Sequence, residues 1–215
     1  MQPFKIPSPG DKPLVICEIA LAHDGSLGNS IAYIRACAAA GADAVKFQDH
    51  LLDQNNDWRN GVEHPQDVWR EDYWKRTGFK RKWWGWLREI AHAHGVWFGV
   101  TPFSEAAYSR TVNQCDFIKI PRNPVRDVSV EDTERDGIVV IHTGDGGLGL
   151  DTYDPANHIG ISCHAPGIAP ALDAVRRGAL IVEKHICWDR RQFGPDTEFS
   201  ITIDELGELC ESLAS

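Results

Sequence analysis

The chain has 215 residues, 42% of them hydrophobic, which is enough for one domain with a sizeable core. It is shorter than the ~250 residues typical of an eight-unit barrel. The net charge of -9 and the lack of long Lys/Arg runs argue against a nucleic-acid partner.

The one basic stretch, Lys80-Arg81-Lys82 beside Trp83, Trp84 and Trp86, reads as a solvated helix start. No apolar run reaches the ~18 residues of a membrane span, and the N-terminal MQPFKIPSPGDKP has no signal-peptide core. The six cysteines form no CxxC pair, so free thiols in a soluble cytoplasmic protein are expected rather than a structural zinc site.

In chain order, short β-rich runs alternate with helical stretches, the signature of a parallel sheet with crossover helices. Leu14–Ala20 (LVICEIA) is a buried-strand run. The pattern predicts a helix over Asn29–Ala40, capped at Ser26 or Asn29 and stopped by Gly41. Ala44–Gln48 is the second strand, and the polar, Trp-rich Asp49–Thr77 reads as a long excursion over the barrel top. A helix over Lys80–His94 leads to the strand Val96–Thr101. Ser104 caps a helix to Asn113, and Phe117–Pro121 is the fourth strand.

Pro124–Asp136 is acidic and poorly periodic, Ile138–Thr143 is the fifth strand, and the Gly-rich Asp145–His158 reads as loop. Ile159–Cys163 and Leu180–His185 are strands on either side of a short helix, Ile168–Arg177. Asp204–Leu213 is the last helix, with Asp204 as its cap. This makes seven strands, where a closed barrel wants eight. Either Val125–Val130 supplies the eighth or the barrel is incomplete. The fold expected is a TIM-type (β/α) barrel, shortened, as one domain over residues 1–215.

In such a barrel the active site gathers at the C-terminal ends of the strands. Those ends carry Glu18, Lys46 with Gln48, Thr101, Lys119, His142, Ser162 with His164, and Glu183-Lys184-His185. Buried Lys and Glu are costly unless paired, so packing alone does not explain them. Strand alternation puts Lys46 and Gln48 on one face, opposite Val45 and Phe47. By the same rule Glu183, Lys184 and His185 cannot all point inward. His142 and His164 could give two imidazole ligands to one divalent ion. His185 could serve as well, and His23 is a weaker candidate. Lys46, Lys119, Arg122, Thr101 and Ser162 could cradle a phosphate. No P-loop and no GxGxxG after a strand supports nucleotide binding.

Read together, CEIALAHDGS (17–26), AGADAVKFQ (40–48), VTPFSE (100–105), FIKIP (117–121), GISCH (160–164) and IVEKHICWDRRQFGPDTEFSITIDEL (181–206) resemble the barrel domain of the sialic acid synthase family. The resemblance covers the barrel alone, and a chain without the family's C-terminal antifreeze-like domain is expected.

The resemblance implies metal-dependent condensation of phosphoenolpyruvate with an N-acetylhexosamine-type aldose. Lys46, Thr101, Lys119 and Ser162 would lie on the phosphoenolpyruvate side, with Arg122 beside them. Glu18, Gln48 and Asp196 would face the sugar or the new tetrahedral centre. Glu18, Lys46, Lys119 and Glu183 form the expected catalytic set, and Lys184 joins the substrate contacts. His164 would hold manganese or magnesium, and so would His142 if IVVIHTG stands for the family's sixth strand rather than its fifth. A homodimer is the assembly the family implies.

The sequence departs from the family at Ala22-His23-Asp24-Gly25, at Arg122, at Cys163 and in the short stretch between Pro121 and Ile159. Two other readings stay open. One is a Schiff-base aldolase or lyase using Lys119 or Lys184. The other is a non-catalytic sugar- or phosphate-binding protein.

Overall fold

The β-rich runs form strands that pair in parallel, as expected where each is followed by a crossover helix. The structure, a computed structural model, describes residues 1–51, 67–120, 139–141, 144–145 and 159–214, with the backbone alone at 67–71, 139–141 and 144–145. The strands are β1 (Leu14–Ala20), β2 (Ala44–Asp49), β3 (Trp97–Pro102), β4 (Phe117–Lys119), β5 (Val139–Ile141), β6 (Gly144–Asp145), β7 (Gly160–Cys163), β8 (Ile181–Cys187) and β9 (Ile201–Thr202).

Their order is β5-β4-β3-β2-β1-β8-β7-β6, with β9 paired to the end of β8. The two ends of that path are only two residues apart in the chain. Since β5 pairs β4 and β6 pairs β7, the sheet curls back on itself. This is a shortened parallel sheet of the TIM-barrel type. The candidate eighth strand, Val125–Val130, lies outside the described residues.

The helices are α1 (Leu27–Ala39), α2 (Asp67–Thr77), α3 (Arg81–Ala93), α4 (Glu105–Thr111), α5 (Ala169–Arg176) and α6 (Ile203–Ala214). Ser26 caps α1 by accepting from Asn29 N, and Ser104 caps α4 by accepting from Ala107 N. Gly41 ends α1 at φ +95°, a conformation that costs other residues a Cβ clash. No described helix is long and apolar enough to cross a membrane.

Two expectations are corrected. The Asp49–Thr77 stretch is not all loop, because Asp49 ends β2 and Asp67–Thr77 is helical. That helix has no apolar stripe to announce it. It docks through hydrogen bonds instead, Tyr73 Oη to the Leu21 carbonyl at 3.0 Å and Arg76 to Asp24 at 2.6 Å. The cap of α6 is Thr202 rather than Asp204. Thr202 Oγ1 accepts from Glu205 N, and Glu205 Oε2 accepts from Thr202 N at 2.8 Å, a reciprocal capping box.

Alternation divides the sheet into two environments. Val15, Cys17, Val45, Phe47, Phe98, Val100, Ile161 and Val182 point outward into the large core beneath the helices. Ile16, Ala44, Phe117 and Ile181 point inward and meet Phe4 of the N-terminal segment. Phe4 stacks on Phe117 at 4.5 Å and edges Trp97 at 5.3 Å, plugging the lower end of the barrel. Gly99 is the neighbour that makes room, since a Cβ there would fall inside the Phe117 ring. All six cysteines are buried free thiols.

Gly99→Ala should destabilise the fold by about 1–3 kcal/mol through overpacking against Phe117. The urea midpoint measures it, and an unchanged midpoint would show that the ring moves aside freely.

Candidate active site

Above the apolar plug, the inward positions of β1, β2, β3, β4, β7 and β8 change from carbon to charge. Glu18, Lys46, Thr101, Ser162 and Glu183 are each 3% exposed or less. Lys46 Nζ bonds the Glu18 carboxylate and Thr101 Oγ1, and it lies 3.6 Å from Glu183 Oε2. Lys119 Nζ donates to Ser162 Oγ at 2.8 Å and to Glu183 Oε1 at 2.6 Å. Ser162 Oγ donates to the same Glu183 oxygen at 2.8 Å.

Two ammoniums and two carboxylates thus share one layer, which is how four costly charges are tolerated inside a barrel. The Lys119 side chain is 13% exposed, so of the two lysines it is the one open to the mouth. Burial alone would raise the Glu183 carboxyl. The Lys119 and Lys46 ammoniums and the hydrogen bonds from Lys119 and Ser162 outweigh burial and hold it well below its ordinary range.

The backbone is shaped around this layer. The β1–β2 register shifts between Glu18 and Ala20, where Ala20 takes φ +50° and its N–H donates to Glu18 Oε1 at 2.9 Å. A left-handed alanine is costly and persists only where its surroundings demand it. Here it turns the strand end toward the carboxylate it binds.

At the mouth, His164 follows β7 and His185 lies within β8, their ring centroids 5.1 Å apart. His185 Nδ1 is 3.8 Å from Asp196 Oδ2. Burial lowers the pKa of His185, with the Asp196 carboxylate opposing it, so the ring is neutral at working pH and its lone pair is available. Among the described residues no group of three or more His, Cys, Asp or Glu side chains is arranged to hold a metal ion. Two imidazoles from neighbouring strands suit a divalent cation whose other positions are water and substrate oxygens.

The site residues read from the sequence therefore fall into three groups. Glu18, Lys46, Thr101, Lys119, Ser162 and Glu183 form the charged layer, and Gln48 sits beside it on the inward face of β2. His164 and Asp196 meet around His185, which the strand pattern had offered only as an alternative ligand. Lys184 lies on the opposite face of β8 from Glu183, where its Nζ donates to the Ala165 carbonyl at 2.6 Å. Arg122 and His142 lie outside the described residues.

His23 is buried under Phe79, with ring centroids 4.4 Å apart, and burial lowers its pKa to about 3. His50, which carried no role in the sequence reading, contacts Gln48. Its signal was the strand period, since His50 is two residues past Gln48 and so shares its face.

A family model for the NeuB family matches residues 33–132 and 151–215. The chain belongs to the NeuB family. Curated relatives are distant. The N,N'-diacetyllegionaminic acid synthase of Campylobacter jejuni is 40% identical over 55 residues, 26% of this chain and 16% of that protein. The pseudaminic acid synthase of the same species is 21% identical over 261 aligned positions, 94% of this chain and 73% of that protein.

Among solved structures, the N-acetylneuraminic acid synthetase of Leptospira borgpetersenii superposes with a TM-score of 0.72 at 23% identity, covering 95% of this chain and 83% of that one. A truncated 3-deoxy-D-arabino-heptulosonate 7-phosphate synthase from Thermotoga maritima superposes at 0.62 with 11% identity, over 96% and 87%. At these identities the superpositions establish the fold, the barrel that the NeuB family shares.

The Glu183 carboxyl protonates at lower pH in the folded than in the unfolded chain, where its value lies near 4.5. Its stabilisation is complete above that value and drains as pH falls toward the depressed folded pKa. Urea unfolding from neutral to acidic pH should show this loss, and Glu183→Gln should flatten it. Parallel pH profiles for the two proteins would remove Glu183 as its source.

Proposed function

We propose that the protein condenses phosphoenolpyruvate with an N-acetylhexosamine-type aldose, giving a nonulosonic acid and inorganic phosphate. The observation that carries this reading is the paired charge layer, Lys46 with Glu18 and Lys119 with Glu183, beneath a mouth lined by two imidazoles. Membership of the NeuB family and the names of its distant relatives, synthases of sugar acids, support it.

In this reading the Lys119 ammonium, with Lys46, Thr101 and Ser162, receives the anionic groups of phosphoenolpyruvate. C3 of the enol carbon pair attacks the aldehyde carbon of the open-chain aldose. Water adds at C2, and the C2–O bond breaks as phosphate leaves. Glu18 and Glu183 keep the two ammoniums fixed, so the site is organised before charge develops. Gln48 and Asp196 orient the sugar. When bound at His164 and His185, manganese or magnesium supplies Lewis-acid polarisation of the aldehyde oxygen. The setting we propose is the cytoplasm, as a homodimer.

Lys184 bears on the imine alternative. Its amine is fully buried and held by backbone carbonyls, and burial lowers its pKa. An imine lysine needs the lowered pKa but also access to a carbonyl substrate.

The test is incubation with manganese, phosphoenolpyruvate and a panel of N-acetylated hexosamines, following phosphate and a nine-carbon 2-keto acid by mass. Product should appear, vanish with a chelator and return with metal. Lys46→Ala should lower kcat/KM by about a hundredfold or more. His164→Ala should abolish metal rescue. Turnover indifferent to both substitutions would reject this assignment, and a substrate adduct trapped by borohydride would replace it with an imine mechanism.

A further inference from the structure

Gln48 stands on the inward face of β2, next to Lys46 and in register with Thr101 on β3. A glutamine amide has two ends of similar shape and opposite polarity. Unless one end is tied, it can offer a substrate either a donor or an acceptor. Here one end is tied. His50 Nε2 lies 2.8 Å from Gln48 Oε1. That oxygen only accepts, so the imidazole nitrogen facing it carries the proton.

The imidazole is itself held. The Trp74 ring of α2 stacks on it at 4.7 Å and 2°, and the Phe103 ring after β3 stacks at 4.0 Å and 12°. Two parallel rings at these distances cannot share one face, so His50 is sandwiched. Burial first, and then the Lys46 ammonium, lower its pKa to about 3. The ring is therefore neutral and carries a single proton, which Gln48 fixes on Nε2.

Further support lies beneath the turn. The Asp49 carboxylate accepts from Leu51 N at 3.1 Å and is gripped by Arg110 of α4. Ser104 Oγ donates to the Leu51 carbonyl at 2.8 Å. With the two stacked rings, the end of β2 is pinned by α2, by the residue after β3 and by α4.

We propose that His50 is a positioning residue that locks the Gln48 amide with its NH2 group toward the barrel mouth. The site then selects an aldose presenting an acceptor oxygen there, such as the carbonyl of an N-acyl group, over one presenting a free ammonium. This rests on the condensing reading above and assigns His50 no contact with the reacting atoms. A donor-only group facing a donor-only amide leaves both unpaired, which is where the discrimination arises.

Two measurements decide it. In steady-state kinetics His50→Phe keeps an aromatic ring between Trp74 and Phe103 but deletes the donor. It should raise the aldose KM about fivefold, with phosphoenolpyruvate KM and kcat within about twofold, and narrow the preference for the N-acetylated sugar over its free amine. His50→Gln, which restores a donor, should recover part of that preference. A folded His50→Phe with unchanged aldose KM and preference, or with both KM values raised equally, overturns the proposal.

The second measurement needs no turnover. In 15N-histidine-labelled protein, His50 should show a protonated Nε2 and a bare Nδ1 from about pH 5 to about pH 9. The opposite tautomer overturns the contact. If the wild-type protein turns over no aldose, the condensing reading fails by itself, and the tautomer still decides whether His50 orients Gln48.

Discussion

The bond on which the rest of this structure depends is the buried ion pair between Lys46 and Glu18, extended through Glu183 to Lys119. Charges placed inside a barrel lose their water, and only opposite charges at hydrogen-bonding distance make the loss tolerable. Four elements contribute one charge each, so β1, β2, β4 and β8 must come into register together for the layer to close. Pairing Glu18 with Lys46 across the β1–β2 ladder and bringing Ser162 opposite Glu183 across the β7–β8 ladder are the same requirement seen from the backbone. A one-residue slip of any of these strands would turn its charge out into the helix-covered core.

The layer also explains how a short barrel can present an ordered mouth. Below it, Phe4, Phe117 and Ile181 fill the lower end with carbon. Above it, polar groups need partners that do not consume the functions they offer. Ala20 N–H donates to Glu18, His50 Nε2 meets Gln48 Oε1, and Asp49 is neutralised by Arg110 rather than by a lysine of the site. These supports come from the end of β1, the residue after β2 and helix α4, so the mouth is braced from several directions and its side chains are held before a ligand arrives.

Family membership and geometry answer different questions. The match to the NeuB family rests on residues spread along the chain, and the superpositions on synthases of several kinds rest on backbone alone. Neither says which atoms do chemistry, because one barrel hosts many reactions. The chemical reading comes from the charged layer and the imidazole pair above it. Lys184 shows the value of that distinction. It stands between two inward residues in the sequence, yet its amine faces Ala165 and Phe199 on the far side of the strand.

The sequence by itself determined the order and type of most elements, because runs such as LVICEIA and LIVEKH have only one favourable environment and Ser26 and Ser104 announce the helices they cap. It also determined which residues line the barrel, since a period of two leaves Lys46 with Gln48 and Glu183 with His185 no other face. Helix α2 was illegible because it docks by hydrogen bonds to a distant loop rather than by an apolar stripe. The capping box at Thr202 and Glu205 was written in the sequence, but the adjacent Asp204 competed for the same role.

Only the tertiary structure decided who pairs with whom. Lys46 could have met any carboxylate in the barrel, His164 could have paired with another imidazole, and His50 could have faced solvent. Those choices depend on strand order and stagger across the curled sheet, a property of the whole sheet that no local pattern of residues encodes.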